Sequence, residues 1–187
     1  TGKELMARAI HRASGRREGA FVSVDCSSLD GGAEHLVACE QELARAAQEA
    51  TGGTIFLRSV DDLALSLQTR LASLLRGPRD VRVLATSDRR PDELAADGRY
   101  STELLERVSA VHIDLPPLSR RREDVPLLGA QCLEDLATET GQTKRTLSPE
   151  AMETLASAKW PGNVRQLRMV VRQVASLGAG PVITVEQ

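Results

Sequence analysis

The clearest indication of the fold is the segment Gly52-Gly53-Thr54-Ile55-Phe56-Leu57-Arg58-Ser59, in which a glycine pair opens a short apolar run. Such a run between turn signals predicts a buried strand over 54–57. Residues 33–50 before it are rich in alanine, leucine and glutamate and predict a helix, and the leucine-rich residues 62–75 after it predict another. A buried strand between two helices is typical of a parallel sheet that is covered by helices.

The alternation of strands and helices continues outward from this stretch as far as Pro116-Pro117. The patterns predict strands over 21–25, 81–86 and 111–115, and helices over 3–14, 91–96 and 101–108. Beyond the prolines only helices are predicted, over 121–140, 148–158 and 162–177. Ser148 is the expected cap of the second of these, with Pro149 at its first position. We therefore expect an α/β domain over 1–117 and a small all-α domain over 118–187.

The composition limits the core and the partners of the protein. Hydrophobic residues make up 41% of the 187 residues and aromatic residues 2%, so we expect an aliphatic core in one α/β domain and a satellite. The formal net charge is -2, with 24 basic and 26 acidic residues. This balance provides no global basic field for nucleic acid, so we expect DNA to be bound through another domain.

The cysteines and histidines predict neither a disulfide framework nor a metal site. Cys26, Cys39 and Cys132 are scattered and form no Cys-x-x-Cys pair, which favours a reducing compartment. The histidines are isolated and share no ligand spacing with these thiols. No apolar run reaches the length of a membrane span, and no signal peptide is recognisable. We therefore expect a cytoplasmic protein without a membrane partner.

Several blocks resemble one known family. They are Thr1-Gly2-Lys3-Glu4-Leu5-Met6-Ala7-Arg8, Phe21-Val22-Ser23-Val24-Asp25, Gly52-Gly53-Thr54-Ile55-Phe56-Leu57, Leu115-Pro116-Pro117-Leu118 and Trp160-Pro161-Gly162-Asn163-Val164-Arg165-Gln166-Leu167. Together they resemble, in order and over nearly the whole chain, the bacterial enhancer-binding proteins. These are AAA+ activators that remodel RNA polymerase carrying sigma-54. The resemblance implies an AAA+ P-loop sheet followed by an all-α lid, and a role as the central domain of a transcription regulator.

The resemblance also implies a site for ATP or ADP. Thr1, Gly2, Lys3 and Glu4 match the end of the phosphate-binding loop and the helix that follows it. A Thr-Gly-Lys triplet alone is common, so an ordinary exposed terminus is the alternative. We expect the opening strand and the start of the phosphate loop to be missing from this chain. Arg165 matches the lid arginine that reports on the phosphates; the alternative is a charge on the helix surface.

The sequence departs from the family where ATP is hydrolysed. Arg58 and Ser59 stand where family members carry an aspartate, which holds magnesium through water, and a glutamate, which polarises the attacking water. An arginine cannot hold magnesium, and a serine is not a useful base at neutral pH. We therefore expect no magnesium bound in the family manner and weak or no hydrolysis. Asp61 or Asp62 could substitute, although Asp62 fits better as the cap of the next helix.

Two further positions differ from the family pattern. Ser87-Asp88 stands where family members carry a Thr-Asn pair that senses the terminal phosphate. Of the two arginine-finger positions, Ser101 occupies the first and Arg107 the second. Arg99 lies nearby but out of register, and an arginine that pairs with its own helix is the simpler interpretation. Arg107 is therefore the one candidate finger.

The family's sigma-contacting loop is also missing. No Gly-Ala-Phe-Thr-Gly-Ala occurs between the strand at 21–25 and the strand at 54–57, and one helix fills a shortened connection. We therefore expect no direct contact with sigma-54, although RNA polymerase remains a partner that the resemblance allows.

The resemblance and these departures together leave three functions to be compared. The first is an ATP-binding but hydrolysis-deficient assembly or signal-relay module that self-associates as a ring or a dimer. The second is an active ATPase that remodels sigma-54 RNA polymerase. The third is an oligomerisation scaffold that ignores nucleotide. Retained Lys3 and Arg165 favour the first over the third.

Overall fold

A computed structural model describes residues 2–29, 35–76, 80–98, 100–177 and 180–185 of the chain. The chain divides into two compact units. The first, here called the α/β unit, is Lys3–Ile113. The second, the helical unit, is Asp114–Gln187 together with Thr1–Gly2. None of the described helices is long and apolar enough to cross a membrane.

The α/β unit is built on a parallel sheet of three strands in the order β1-β2-β3. The strands are β1 (Phe21–Asp25), β2 (Thr54–Arg58) and β3 (Arg82–Ala85). Its helices are α1 (Lys3–Arg12), α2 (Leu36–Glu49), α3 (Leu65–Arg76), α4 (Pro91–Ala96) and α5 (Thr102–Val108). This parallel, helix-covered sheet confirms the fold class predicted from the alternation of strands and helices.

The central strand β2 is the most buried element of this unit. Ile55 and Leu57 are fully buried and Phe56 is 1% exposed, because β2 has a strand on each side and helices pack on the sheet. The preceding glycine is required by close packing of backbone: a Cβ at Gly53 would lie 2.2 Å from the carbonyl oxygen of Ala20. Gly53 therefore allows β2 to start beside β1.

The helical unit contains α6 (Val125–Thr140), α7 (Pro149–Ser157) and α8 (Asn163–Leu177). Ser148 caps α7, accepting a hydrogen bond from the Ala151 amide at 3.1 Å, as the sequence predicts. The unit also holds one element that no pattern predicted, a short parallel pair of β4 (Thr146–Leu147) and β5 (Val182–Ile183). Two residues per strand are too few to show a period in the sequence.

The Trp160–Leu167 block forms the turn into α8. The indole Nε1 of Trp160 donates to the Leu155 carbonyl at 2.9 Å, which closes the end of α7. Asn163 begins α8 with φ +51°, a left-handed conformation that asparagine tolerates better than most residues. Its side-chain oxygen accepts a hydrogen bond of 2.7 Å from the Leu118 amide. Two of the blocks quoted above are therefore joined by a direct contact.

Two predictions of secondary structure between residues 60 and 115 are wrong. Residues 111–115 do not form a strand, and Val111 and Ile113 are 80% and 53% exposed. Their alternation suits a strand, but a strand also needs a hydrogen-bonding neighbour, and none of the described strands pairs with this segment. The helix predicted from residue 62 begins at Leu65, because residues 60–62 form a 3-10 turn. Asp62 lies in that turn and does not cap the helix.

Candidate functional site

The carboxyl ends of the three parallel strands bring most of the predicted site residues together. Arg58, the last residue of β2, lies in register with Asp25, the last residue of β1. Ser87 and Asp88 follow β3 closely, and Lys3 at the start of α1 contacts both of them. This group of side chains is here called the sheet edge. Parallel strands end on the same side of a sheet, and ligands of open α/β sheets bind beyond that side.

Lys3 is held by the segment that follows β3. Its ammonium donates to the carbonyl oxygen of Ser87 at 2.7 Å and forms an ion pair with the Asp88 carboxylate. The Asp88 amide in turn donates to a carboxylate oxygen of Asp61 at 3.3 Å. The residue predicted to hold phosphate and the residue predicted to sense it are therefore in direct contact.

Arg58 lies between two carboxylates. Its guanidinium is 3.5 Å from the Asp25 carboxylate and 3.9 Å from that of Glu4. Glu4 also pairs with Arg8 one turn further along α1, at 2.9 Å. A positively charged side chain therefore stands where the family resemblance places the acid for magnesium.

Asp25 is a site residue that sequence reasoning missed. The Ser27 hydroxyl, which donates to its carboxylate at 2.7 Å, holds the pKa of Asp25 below its usual value, with help from the Ser27 amide and the Arg58 charge. Asp25 is therefore ionised beside Arg58 at neutral pH. The available signal was positional, since Asp25 ends the strand next to the one that Arg58 ends.

Ser59 has an unusual backbone conformation. Its φ and ψ are 50° and 52°, in the left-handed region, which costs a non-glycine residue about 1–2 kcal/mol. Hydrogen bonds to the segment after β3 hold it there: the Ser59 amide donates to the Thr86 hydroxyl at 3.2 Å, and the Val60 amide to the Thr86 carbonyl at 2.8 Å. Contacts with the segment that follows β3 therefore set the direction of the chain after β2.

Asp61 joins the sheet edge to a cavity of about 400 Å³. One of its carboxylate oxygens accepts from the Asp88 amide, while the other is buried without a hydrogen-bond partner in the described structure. Tyr100 lines the same cavity with a buried hydroxyl, and burial raises its pKa above the usual value. The described residues contain no group of three or more side chains placed to hold a metal ion.

The carboxylates of the sheet edge oppose the binding of a phosphate that carries no metal ion. Two cations, Lys3 and Arg58, are each paired with carboxylates, and the neighbouring acids are Glu4, Asp25, Asp61 and Asp88. A lysine at a helix N-terminus is suited to phosphate, because the helix dipole and free amides add to its charge. A phosphate must therefore compete with carboxylates that already occupy these cations.

The remaining predicted residues lie outside the sheet edge or outside the described chain. Arg107 on α5 donates to the Leu75 carbonyl at 3.0 Å, near the end of α3. Ser101 caps α5. Arg165 is exposed on α8 in the helical unit and makes no hydrogen bond or ion pair with the residues that the structure describes. Thr1 and Arg99 lie outside the described residues, and Gly2 has a left-handed φ of +91°.

Comparison with known proteins finds relatives among bacterial transcription regulators. The chain is 34% identical over 206 residues to the Nif-specific regulatory protein of Herbaspirillum seropedicae, covering 98% of this chain and 38% of that protein. It is 31% identical over 208 residues to the DNA-binding transcriptional regulator NtrC of Escherichia coli K12, covering 100% of this chain and 44% of NtrC. The chain thus spans less than half the length of these relatives.

Solved structures and family models agree with these relatives. NtrX from Brucella abortus, solved in complex with ATP and also with ADP, matches with a TM-score of 0.84 and 32% identity in each case. The ATP complex covers 99% of this chain and 48% of that one. The family model described as "Sigma-54 interaction domain" matches residues 1–118, and "AAA+ ATPase lid domain" matches residues 119–187. The chain belongs to the sigma-54 interaction domain family of AAA+ proteins, with an AAA+ lid as its second part.

Proposed function

We propose that this domain binds ATP or ADP at the sheet edge, hydrolyses ATP weakly or not at all, and serves as an assembly or signal-relay module of a bacterial transcription regulator. The observation that carries the proposal is the position of Arg58, 3.5 Å from Asp25 at the ends of two paired strands. The NtrX structures with ATP and with ADP, at 32% identity, support nucleotide binding.

Each predicted nucleotide residue has a role in this proposal. In this proposal Thr1, Gly2, Lys3 and Glu4 hold the phosphates, with Lys3, at the start of α1, as the charged donor. Arg165 keeps the role that the family resemblance implies for it, that of the lid arginine that reports on the phosphates. Arg107 serves, as an arginine finger, the nucleotide of a neighbouring copy in a ring or dimer, and Ser87-Asp88 lies beside the terminal phosphate.

Weak hydrolysis follows from the chemistry of two side chains. Attack by water needs a side chain that accepts a proton from the water or orients it. Such general acid–base catalysis accelerates a reaction by roughly 100-fold to 10,000-fold, and the Ser59 hydroxyl does not supply it at neutral pH. Arg58 puts a fixed positive charge among carboxylates that would otherwise attract a divalent cation. We therefore propose that nucleotide binding depends little on magnesium.

The missing sigma-contacting loop limits the partners. The alignment with NtrC extends over 208 residues while this chain has 187, so NtrC has residues within the matched segment that this chain lacks. This supports a domain that acts without direct contact with sigma-54. DNA is bound, in this proposal, through another domain of the full-length protein, and RNA polymerase is reached through the assembled regulator.

Two other functions remain candidates, each with its own observation. The family match and the ATP complex of NtrX favour an active ATPase that remodels sigma-54 RNA polymerase. The ion pair between Lys3 and Asp88 favours an oligomerisation scaffold that does not bind nucleotide. Binding of ATP without its hydrolysis would support the proposed function over both of these candidates.

Calorimetry of ATP and ADP, with and without magnesium, tests the proposal on the full-length protein. We expect binding of both nucleotides, little change with magnesium, and no phosphate release above background in a parallel assay. Lys3→Met should weaken binding, whereas Lys144→Met, which removes a half-exposed lysine of the helical unit, should not. Steady magnesium-dependent turnover would establish the ATPase instead, and no binding would establish the scaffold.

A further inference from the structure

Asp88 makes the ion pair that Lys3 would have to give up to a phosphate. Two of the three ammonium donors of Lys3 are engaged, one by the Ser87 carbonyl and one by the Asp88 carboxylate. The side chain of Asp88 is 88% exposed, while that of Lys3 is 28% exposed. The carboxylate can therefore move into solvent, whereas the lysine stays beside the helix start.

We infer that Asp88 is an affinity-determining residue of the phosphate site, whose carboxylate occupies Lys3 in the absence of nucleotide and competes directly with the incoming phosphate. This inference rests on the proposed binding of nucleotide at Lys3. A carboxylate and a phosphate oxygen are both anionic acceptors for an ammonium group, so the two exclude each other at one donor. The ligand class in question is a nucleoside di- or triphosphate.

Three hydrogen bonds hold the backbone around Asp88, so we expect displacement to move mainly its side chain. The Ser87 hydroxyl donates to the Arg89 carbonyl at 2.8 Å and accepts from the Arg89 amide at 2.9 Å, which closes a tight turn. The Asp88 amide is tied to Asp61. A displaced Asp88 carboxylate therefore remains near the phosphate and repels it, which adds to the cost of breaking the ion pair.

The size of the effect follows from the exposure of the pair. Exposed ion pairs are worth about 0.2–1 kcal/mol, which corresponds to a factor of roughly 1.4 to 5 in affinity. Asp88→Asn keeps the shape of the side chain and removes its charge. It should lower the Kd for ATP and ADP by a factor of about 1.4 to 5, and the gain should shrink toward 1 M salt because ions screen it.

Calorimetry on the full-length protein, with adenosine as a phosphate-free probe, tests this inference. We expect Asp88→Asn and Asp88→Ala to bind ATP and ADP more tightly than the unaltered protein and adenosine equally. Asp92→Asn removes an exposed carboxylate elsewhere, on α4, and should leave the affinities for ATP and ADP unchanged. Unchanged nucleotide affinity in both Asp88 variants would overturn the inference and leave the proposed function standing.

A second variant pair separates competition from simple repulsion. In a Lys3→Met background, Asp88→Asn should improve ATP binding by a smaller factor than in the unaltered protein, because no ammonium remains to compete for. An equal factor in both backgrounds would overturn the competition. Absence of ATP and ADP binding in the unaltered protein and in Asp88→Asn would overturn the proposed function, and this inference with it.

Discussion

Arg58 faces Asp25 across the ends of two paired parallel strands, with its guanidinium 3.5 Å from the Asp25 carboxylate. Glu4 approaches the same guanidinium from the start of α1, at 3.9 Å. The positive charge is therefore supplied by the chain itself, at a place where two acids from separate elements converge. A divalent cation and this arginine would compete for the same carboxylates.

Replacing that arginine is expected to create a need for magnesium. Arg58→Asp with Ser59→Glu adds two acids next to Asp25 and Glu4, and such a cluster favours a hard divalent cation. We expect ATP affinity in the full-length protein to become dependent on magnesium, and magnesium alone to raise the melting temperature. Calorimetry and thermal unfolding measure the two effects.

Arg17→Asp is the control for the arginine replacement, because it makes the same change from a positive to a negative side chain at a position that is 69% exposed and pairs with neighbouring Glu18. Indifference of the double variant to magnesium would show that this strand end does not face the phosphates. Contact with sigma-54 should not return in either case, since the loop remains missing.

Gln68 is expected to be a stability determinant of the α/β unit. Its side chain is 2% exposed, donates to the Leu63 carbonyl at 2.7 Å and accepts from the Ser101 amide at 2.7 Å. Gln68→Leu leaves both backbone groups without that partner, so it should lower the free energy of unfolding by about 1–3 kcal/mol. Urea unfolding measures this; Gln48→Leu, at an exposed position of α2, should stay within about 0.5 kcal/mol.

Asn163 is expected to stabilise the helical unit by two separable effects. Asn163→Ala loses both the tolerance for φ +51° and the acceptor for the buried Leu118 amide, and should cost about 2–4 kcal/mol. Asn163→Gly keeps the backbone freedom and should cost about 1–3 kcal/mol. Unfolding is followed by the fluorescence of Trp160, the single tryptophan, which is 6% exposed. Equal losses in the two variants would mean that φ contributes nothing.

Cys26 is expected to make stability fall at high pH. Burial, and then the charges of Asp25, Asp62 and Asp61, raise the pKa of this thiol from 9.0 to about 12. The folded state therefore binds more protons than the unfolded state between these values, so the contribution is complete below about pH 9 and is lost as the pH rises toward 12.

The measurement is urea unfolding between pH 8 and pH 10.5, compared with Cys26→Ala. The decline in stability with pH should be shallower in the variant, although the variant itself is less stable at pH 8 because of the cavity it leaves. Identical slopes would contradict the raised pKa. In the native protein, iodoacetamide at pH 8 should leave Cys26 unmodified, because the thiol is fully buried and protonated.

The sequence predicted local features of the fold well and pairing poorly. The buried strand predicted over 54–57 and the cap at Ser148 follow from patterns within a few residues, and both are confirmed, with the strand observed as Thr54–Arg58. The strand expected at 111–115 is absent, because alternation of apolar and polar residues indicates only that a strand is possible. Whether a hydrogen-bonding neighbour is available depends on segments far away in the chain.

The candidate site shows the same division. Because periodicity and motifs are local, the order and type of most elements, the family, and the interest of Lys3, Arg58 and Asp88 could be inferred from the sequence. The sequence did not reveal that Lys3 pairs with Asp88, 85 residues away, or that Arg58 lies between Asp25 and Glu4. These contacts form because parallel strands end on one side of the sheet, which brings distant segments within reach of one another's charges.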